Sequence, residues 1–189
     1  MAEYAHIMSK EIIKAAWPRG RRQRNMANWL WIRERNTISE DVKWLRLEDL
    51  LGMNLPQPVV LVTGAFDLLH APHMRLLFAA REKAGYNGTV LVAMNSDESV
   101  RTRKGPGRPI MSYAERASAL NYMPIDYLVE FTHEADLKAI SDIAQVNCQI
   151  AGPEYFNTPT TAGVPVICVR EGGPHTTDII ERCQKKVKK

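Results

Sequence analysis

Val59–His73, VVLVTGAFDLLHAPH, constrains the fold of this chain more than any other stretch. Val59 to Thr63 are five consecutive apolar or β-branched residues, followed by glycine, a short acidic turn and two histidines three apart. A short apolar run bounded by a turn signal reads as a strand buried on both faces, as in parallel sheets. Gly64 is expected to let the chain turn sharply as it leaves the sheet. From His73 the sequence MRLLFAAREKAG reads as a helix, with Met74, Leu77, Phe78 and Ala84 recurring at three- and four-residue steps. Open α/β sheets bind ligands beyond the carboxyl ends of their strands. A helix start at that edge offers free N–H groups to anions. His70 and His73 therefore fall where a phosphate is expected.

The rest of the chain repeats the pattern. Thr89–Met94 (TVLVAM) reads as a second buried strand, making a right-handed crossover with the first. Asn95-Ser96-Asp97 ends that strand on the edge of the sheet that carries His70 and His73. Arg101–Pro109, RTRKGPGRP, reads as a basic glycine/proline loop. Arg101, Arg103, Lys104 and Arg108 at this edge suit a lid for a polyphosphate, against the plainer reading of an exposed turn. Ser112-Tyr113-Ala114-Glu115 is a capping box opening the next helix and placing Arg116 in its first turn. Tyr127–Phe131, Asn147–Ala151 and Val164–Arg170 read as three more strands, with an amphipathic helix over Ala135–Gln145. His133 reads as an ordinary polar loop residue. His175-Thr176-Thr177-Asp178 opens a last helix, which the threonines can cap. The expected fold class is α/β, a Rossmann-like parallel sheet of about five strands with helices on both faces and an N-terminal helical extension.

Three segments follow from composition: 1–55, 56–184 and a basic tail, 185–189. All four tryptophans, Trp17, Trp29, Trp31 and Trp44, lie in the first segment among arginines and lysines. Helices are expected at Ser9–Ala16, Met26–Arg35 and Glu40–Leu50, the last capped by Ser39. So many tryptophans in a polar segment too small for its own core imply packing against the sheet domain, a second copy or a partner. Nucleic-acid binding is the weaker alternative, because no recognised module is present. No apolar run approaches the ~20 residues of a membrane span. The N-terminus lacks the apolar core of a secretory signal, and a cytoplasmic location is the expectation. Its arginines keep a mitochondrial matrix location open, though Glu3 and Glu11 count against a transit peptide. Cys148, Cys168 and Cys183 have no paired spacing and suit a reducing compartment. The net charge of +4 is concentrated at the two ends. No G-x-G-x-x-G follows the first strand and no G-x-x-x-x-G-K-[ST] occurs, which discounts a dinucleotide oxidoreductase and a P-loop hydrolase.

TGAFDLLHAPH resembles the first motif of the cytidylyltransferase-like nucleotidyltransferases, a strand, then FD, then H-x-G-H. Within that group the chain is most similar to heptose 1-phosphate adenylyltransferases and to ethanolamine-phosphate and glycerol-phosphate cytidylyltransferases. KGPGRP resembles the heptose-phosphate adenylyltransferase loop in which a lysine faces the phosphates. Glu115-Arg116 and TTDII match the group in order and place. The resemblance implies transfer of a nucleoside monophosphate from ATP or CTP to a sugar or alcohol phosphate, with release of pyrophosphate. It implies that His70 and His73 donate hydrogen bonds to the transition-state phosphate, while Lys104 and Arg116 screen charge. Thr176 and Thr177 would hold the leaving pyrophosphate. The backbone at Thr63, Gly64 and Ala65, with Asp97 and Gly152, would contact the nucleotide. Asp67 would shape the acceptor pocket, and Mg²⁺ would arrive with the triphosphate, with no dedicated metal ligands. A homodimer is permitted by the apolar helices and by the resemblance.

Three departures support a rival. Pro72 stands where the group has glycine, Ala151 where a lysine is usual, and His175 where the serine of S-T-T falls. A catalytically impaired protein retaining the fold could serve as a structural subunit of a larger assembly, mitochondrial or RNA-containing, docked through residues 1–55. The retained histidine pair, KGPGRP and TTDII favour the enzyme. KGPGRP leans toward adenylyl transfer; GAFDL, Pro109–Met111 and TTDII lean toward cytidylyl transfer.

Overall fold

A computed structural model of the protein describes residues 42–155, 161–169 and 173–187. The strands are β1 (Lys43–Leu45), β2 (Val59–Gly64), β3 (Thr89–Asn95), β4 (Tyr127–Phe131), β5 (Cys148–Ala151) and β6 (Val166–Cys168). They form one parallel sheet in the order β1-β4-β3-β2-β5-β6. Its helices are α1 (Ala71–Ala84), α2 (Asp97–Lys104), α3 (Tyr113–Leu120), α4 (Glu134–Ile143) and α5 (Thr176–Val187).

Successive strand residues point to opposite faces, and both faces are covered. Val60, Val62, Val90, Val92, Met94 and Leu128 meet Leu77 and Ala80 of α1 and Ala117 and Leu120 of α3. On the other face Val59, Leu61, Leu91, Ala93 and Val129 meet Ile140 and Ala144 of the α4 segment, with Leu50 and Leu55. Double burial explains why β2 and β3 are continuous apolar runs rather than alternating ones.

Two expectations need correction. The helix expected over Glu40–Leu50 is, from Lys43, an edge strand followed by a 3₁₀ turn at Leu47–Leu50. Lys43, Trp44 and Leu45 pair with Tyr127, Leu128 and Val129, so the ladder to β4 overrides local helical preference. The sheet therefore has six strands and reaches into the 1–55 segment. Arg101 to Lys104 are likewise the end of a helix rather than part of a loop. The Ser96 hydroxyl accepts the Ser99 N–H at 3.1 Å to start α2, and Gly105, at φ 95°, ends it. The expected helices at Ser9–Ala16 and Met26–Arg35, the Ser39 cap and any docking through the first forty residues lie outside the described residues. Arg170, the last residue of the fifth expected strand, does too.

Arg81 of α1 is 2% exposed and reaches across the bottom of the sheet. It pairs with Asp126 and donates to the carbonyls of Gly88 (3.0 Å), Gly85 (3.1 Å) and Pro124 (3.4 Å). Asp126 also accepts the Val90 N–H at 2.7 Å, so the pair fixes the entry to β3. Removing one partner of a buried pair leaves the other charge uncompensated, at a cost of about 3–5 kcal/mol. Asp126→Ala should lose that much in urea unfolding; a loss within experimental error would show that the carbonyls alone satisfy Arg81.

Candidate functional site

The chain leaves β2 through a turn that owes its shape to two non-glycine residues in the left-handed region, Phe66 at φ 51° and Leu68 at φ 55°. Gly64 is not the hinge expected from sequence. It closes the strand, and a Cβ there would stand 3.2 Å from the Phe66 ring, so glycine admits that ring. Phe66 in turn packs on His73, with ring centroids 5.3 Å apart. Between the two strained residues sits Asp67, 1% exposed. Its carboxylate accepts Arg108 Nε at 2.7 Å, the Ile110 N–H at 3.0 Å and the Met111 N–H at 3.0 Å. Burial alone would raise its pKa; those backbone and guanidinium donors more than offset this and hold it below the ordinary carboxylate value. Asp67 thus anchors the Gly105–Met111 loop onto the β2–α1 turn.

The other end of the chain is tied to the same residue. Thr176 at the start of α5 is buried, and its hydroxyl donates to the Asp67 carbonyl at 2.8 Å. Thr177 beside it is exposed. The His175 N–H donates to Asp178 Oδ2 at 2.7 Å. Pro72 in the first turn of α1 lies against this approach, since a Cβ on Gly173 would meet its ring at 2.8 Å. The proline that departs from H-x-G-H is thus part of the packing between the first and last helices.

Arg116 is fully buried in α3. Its guanidinium donates to the carbonyls of Ala65, Asn95 (2.9 Å) and Met111 (3.2 Å) and to Asp97 Oδ1 (2.6 Å). One side chain therefore joins the ends of β2 and β3, the start of α2 and the Met111 turn. Sequence reasoning gave Arg116 a charge-screening role; the structure engages it with four groups of the scaffold. Thr63 Oγ1 accepts from Gln149 Nε2 at 3.0 Å, linking the end of β2 to β5, and Gly152 is buried just beyond β5. Gln149 was missed because a single polar residue in a short strand carries no signal of its partner.

The histidines meet edge to face, with ring centroids 4.0 Å apart. His70 Nδ1 lies 2.8 Å from the Leu68 carbonyl, which can only accept, so the proton is on Nδ1. Its Nε2 is then a lone pair in the neutral ring and a donor once the ring is protonated. His73 is pushed down to about 3, first by burial and then by the charges of His70 and Lys104. Its Nδ1 is buried with no hydrogen-bond partner in the protein. Lys104, in the last turn of α2, is lowered by desolvation and by neighbouring Arg108 and Arg103. His73 and Lys104 both feel the Asp67 charge, so the turn, the cationic loop and the histidine pair surround one place. Among the described residues, the carboxylate at its centre is that of Asp67, and both its oxygens are committed. Such a cluster of crowded cations beside the neutral His73 ring suits a multiply charged anion.

Among the described residues no three His, Cys, Asp or Glu side chains are grouped to hold a metal ion. These residues do not fit a protein-held metal. No described helix is long and apolar enough to cross a membrane.

Residues 61–166 match the model of the cytidylyltransferase-like family. The chain is 34% identical over 146 residues to the bifunctional protein HldE of Psychromonas ingrahamii, covering 72% of this chain and 30% of that one. HldE of Syntrophotalea carbinolica is 38% identical over 136 residues, 66% of this chain and 26% of that protein. HldE of Campylobacter concisus is 35% identical over 141 residues, 72% and 29% respectively. The chain spans less than a third of the length of these relatives.

The His73 environment yields a pH test. A folded pKa near 3 against an ordinary 6.5 means that the unfolded chain binds the extra proton between those values. Stability from this group is complete above about pH 6.5 and falls, by at most about 1.4 kcal/mol per pH unit, as pH drops toward 3. His73→Asn should flatten that part of the stability–pH profile. In NMR the His73 ring should stay neutral from pH 8 to pH 5; a midpoint near 6.5 would contradict the burial described.

Proposed function

The chain belongs to the cytidylyltransferase-like family, and from that premise we propose that it is a nucleotidyltransferase. In this reading it joins the nucleoside monophosphate of a triphosphate to a sugar phosphate. ATP is the preferred donor, because KGPGRP resembles the loop of heptose-phosphate adenylyltransferases and the relatives compared are HldE proteins. The observation that carries the proposal is the arrangement around Asp67 of two histidines, a lysine–arginine loop and the start of a helix. Those groups come from three places in the sequence.

In the proposed step an oxygen of the acceptor phosphate forms a bond to the α-phosphorus. The bond from that phosphorus to the bridging oxygen breaks, and pyrophosphate leaves with the electron pair. No protein nucleophile is needed; the site must align the two oxygens and neutralise growing charge. His73 is kept neutral by burial and by cations, and an arriving phosphate opposes both effects, since a nearby negative charge favours the protonated ring. Each imidazole then donates to phosphate oxygens. His70 does so through Nε2, its Nδ1–H being held by Leu68. Lys104 supplies a mobile positive charge from the end of α2. Thr177, exposed beside the committed Thr176, and the first N–H groups of α5 would meet the leaving pyrophosphate. Asp97, Gly152 and the backbone from Thr63 to Ala65 would border the nucleotide. Arg116 and Asp67 act here as positioning residues, each engaged by the turns it holds. Mg²⁺ would enter on the triphosphate and supply further charge neutralisation there.

The test is pyrophosphate release from purified full-length chain supplied with ATP or CTP and a panel of sugar and alcohol phosphates. Turnover with ATP and a sugar phosphate is expected. His73→Ala should lower kcat by about 10²–10³, the usual loss for one preorganised donor to a transition state. His73→Ala turning over like wild type would remove the histidine from the mechanism. No release with any combination would favour the structural-subunit reading.

A further inference from the structure

Of the four cations in RTRKGPGRP, Arg108 alone is drawn into the protein. Arg101, Arg103 and Lys104 are exposed, whereas the Arg108 side chain is 10% exposed. Its Nε is paired with Asp67 at 2.7 Å, yet its Nη2 is buried with no hydrogen-bond partner. Asp67 has nothing left to give that nitrogen. Its oxygens already serve Arg108 Nε and the two backbone N–H groups of Ile110 and Met111. A buried charged donor left without an acceptor is costly, because it has given up its water and gained no partner. A residue serving only as a latch for the loop would do better as a side-on pair using both nitrogens.

The surroundings point the same way. Lys104, already depressed by desolvation, is lowered further by the like charges of Arg108 and Arg103. Among the described residues, the other buried side-chain nitrogen without a partner is His73 Nδ1, and His73 also lies within reach of the Asp67 charge. Two unsatisfied nitrogens and an extra cation gathered about one neutralised carboxylate describe a receptor for an anion with several acceptor oxygens.

Building on the nucleotidyltransferase reading, we propose that Arg108 is a substrate-binding residue. Asp67 holds its guanidinium by the Nε edge so that Nη2 is presented to a phosphoryl oxygen of a substrate. The phosphoryl group belongs either to the triphosphate or to the acceptor sugar phosphate, and kinetics separates the two. The arrangement divides one guanidinium between structure and recognition: the Nε side closes the loop and the far nitrogen reads the ligand.

Arg108→Lys is the discriminating substitution. A lysine can keep the charge and one hydrogen bond to Asp67, but it has no second nitrogen to offer an anion. Steady-state KM for the triphosphate and for the sugar phosphate, with calorimetric binding of inorganic pyrophosphate, should be measured on wild type, Arg108→Lys and Arg108→Gln. Loss of one charge-assisted hydrogen bond predicts a KM for one phosphate substrate raised about tenfold or more in both variants, with the other KM within about twofold. A raised triphosphate KM with weakened pyrophosphate binding assigns the contact to the donor; a raised acceptor KM with pyrophosphate binding intact assigns it to the acceptor. Wild-type constants in Arg108→Lys would reduce Arg108 to a latch and overturn the assignment while leaving the transferase reading intact. Wild-type chain that releases no pyrophosphate would overturn the transferase reading. Calorimetric binding of pyrophosphate and of the sugar phosphate that does not differ among the three proteins would then overturn the Arg108 assignment as well.

Discussion

The carboxylate of Asp67 holds the site together. It is removed from water, and it stays ionised because a guanidinium and two backbone N–H groups surround it. Its side chain closes the Gly105–Met111 loop, and its main-chain carbonyl receives the hydroxyl that starts α5. Phe66 and Leu68 on either side adopt a backbone conformation that costs of order 1–3 kcal/mol each, which the surrounding contacts must sustain. Arg116 does the complementary task from α3, fastening the same turn to β3 and α2. A buried acid and a buried base, each facing backbone, therefore set where the histidines stand.

The sheet was legible where burial is doubled. Val59–Thr63 and Thr89–Met94 have no polar face to hide, and such runs fit little else than central parallel strands. The capping box at Ser112 and Glu115 was equally readable, because both halves of that interaction are local; the structure shows each in place. β1 was not readable. Three residues carry too little periodicity, and its hydrogen bonds come from Tyr127–Val129, more than eighty residues away. The end of α2 was hidden by the glycines and prolines that follow it, although Ser96 gave a usable start signal.

Residue types at the site could be read from sequence, but their commitments could not. His70 and His73 stack edge to face, and the charge of Lys104 reaches His73. Thr176 and Arg116 were expected to face substrate, and the structure gives their polar groups partners within the protein. Asp67 was expected to shape a pocket; the structure engages its carboxylate with Arg108 and two amides. Nothing local marks such pairings, since Asp67 is separated from Arg108 by forty-one positions and from Thr176 by one hundred and nine. Left-handed φ at a phenylalanine and a leucine has no sequence signal either. Pro72 reads as a defect against H-x-G-H, yet it fills a contact with Gly173 that links the first and last helices.

Asp67 anchors the cationic loop, and amide hydrogen exchange at Ile110 and Met111 tests that role most directly. Asparagine in its place turns one acceptor oxygen into a donor that opposes the Arg108 guanidinium and the two amides. In wild type both amides should exchange slowly, and Asp67→Asn should release them while the β2 and β3 amides remain protected. Equal protection of Ile110 and Met111 in the two proteins would mean that the loop holds its place without the carboxylate, and the site would need another organiser.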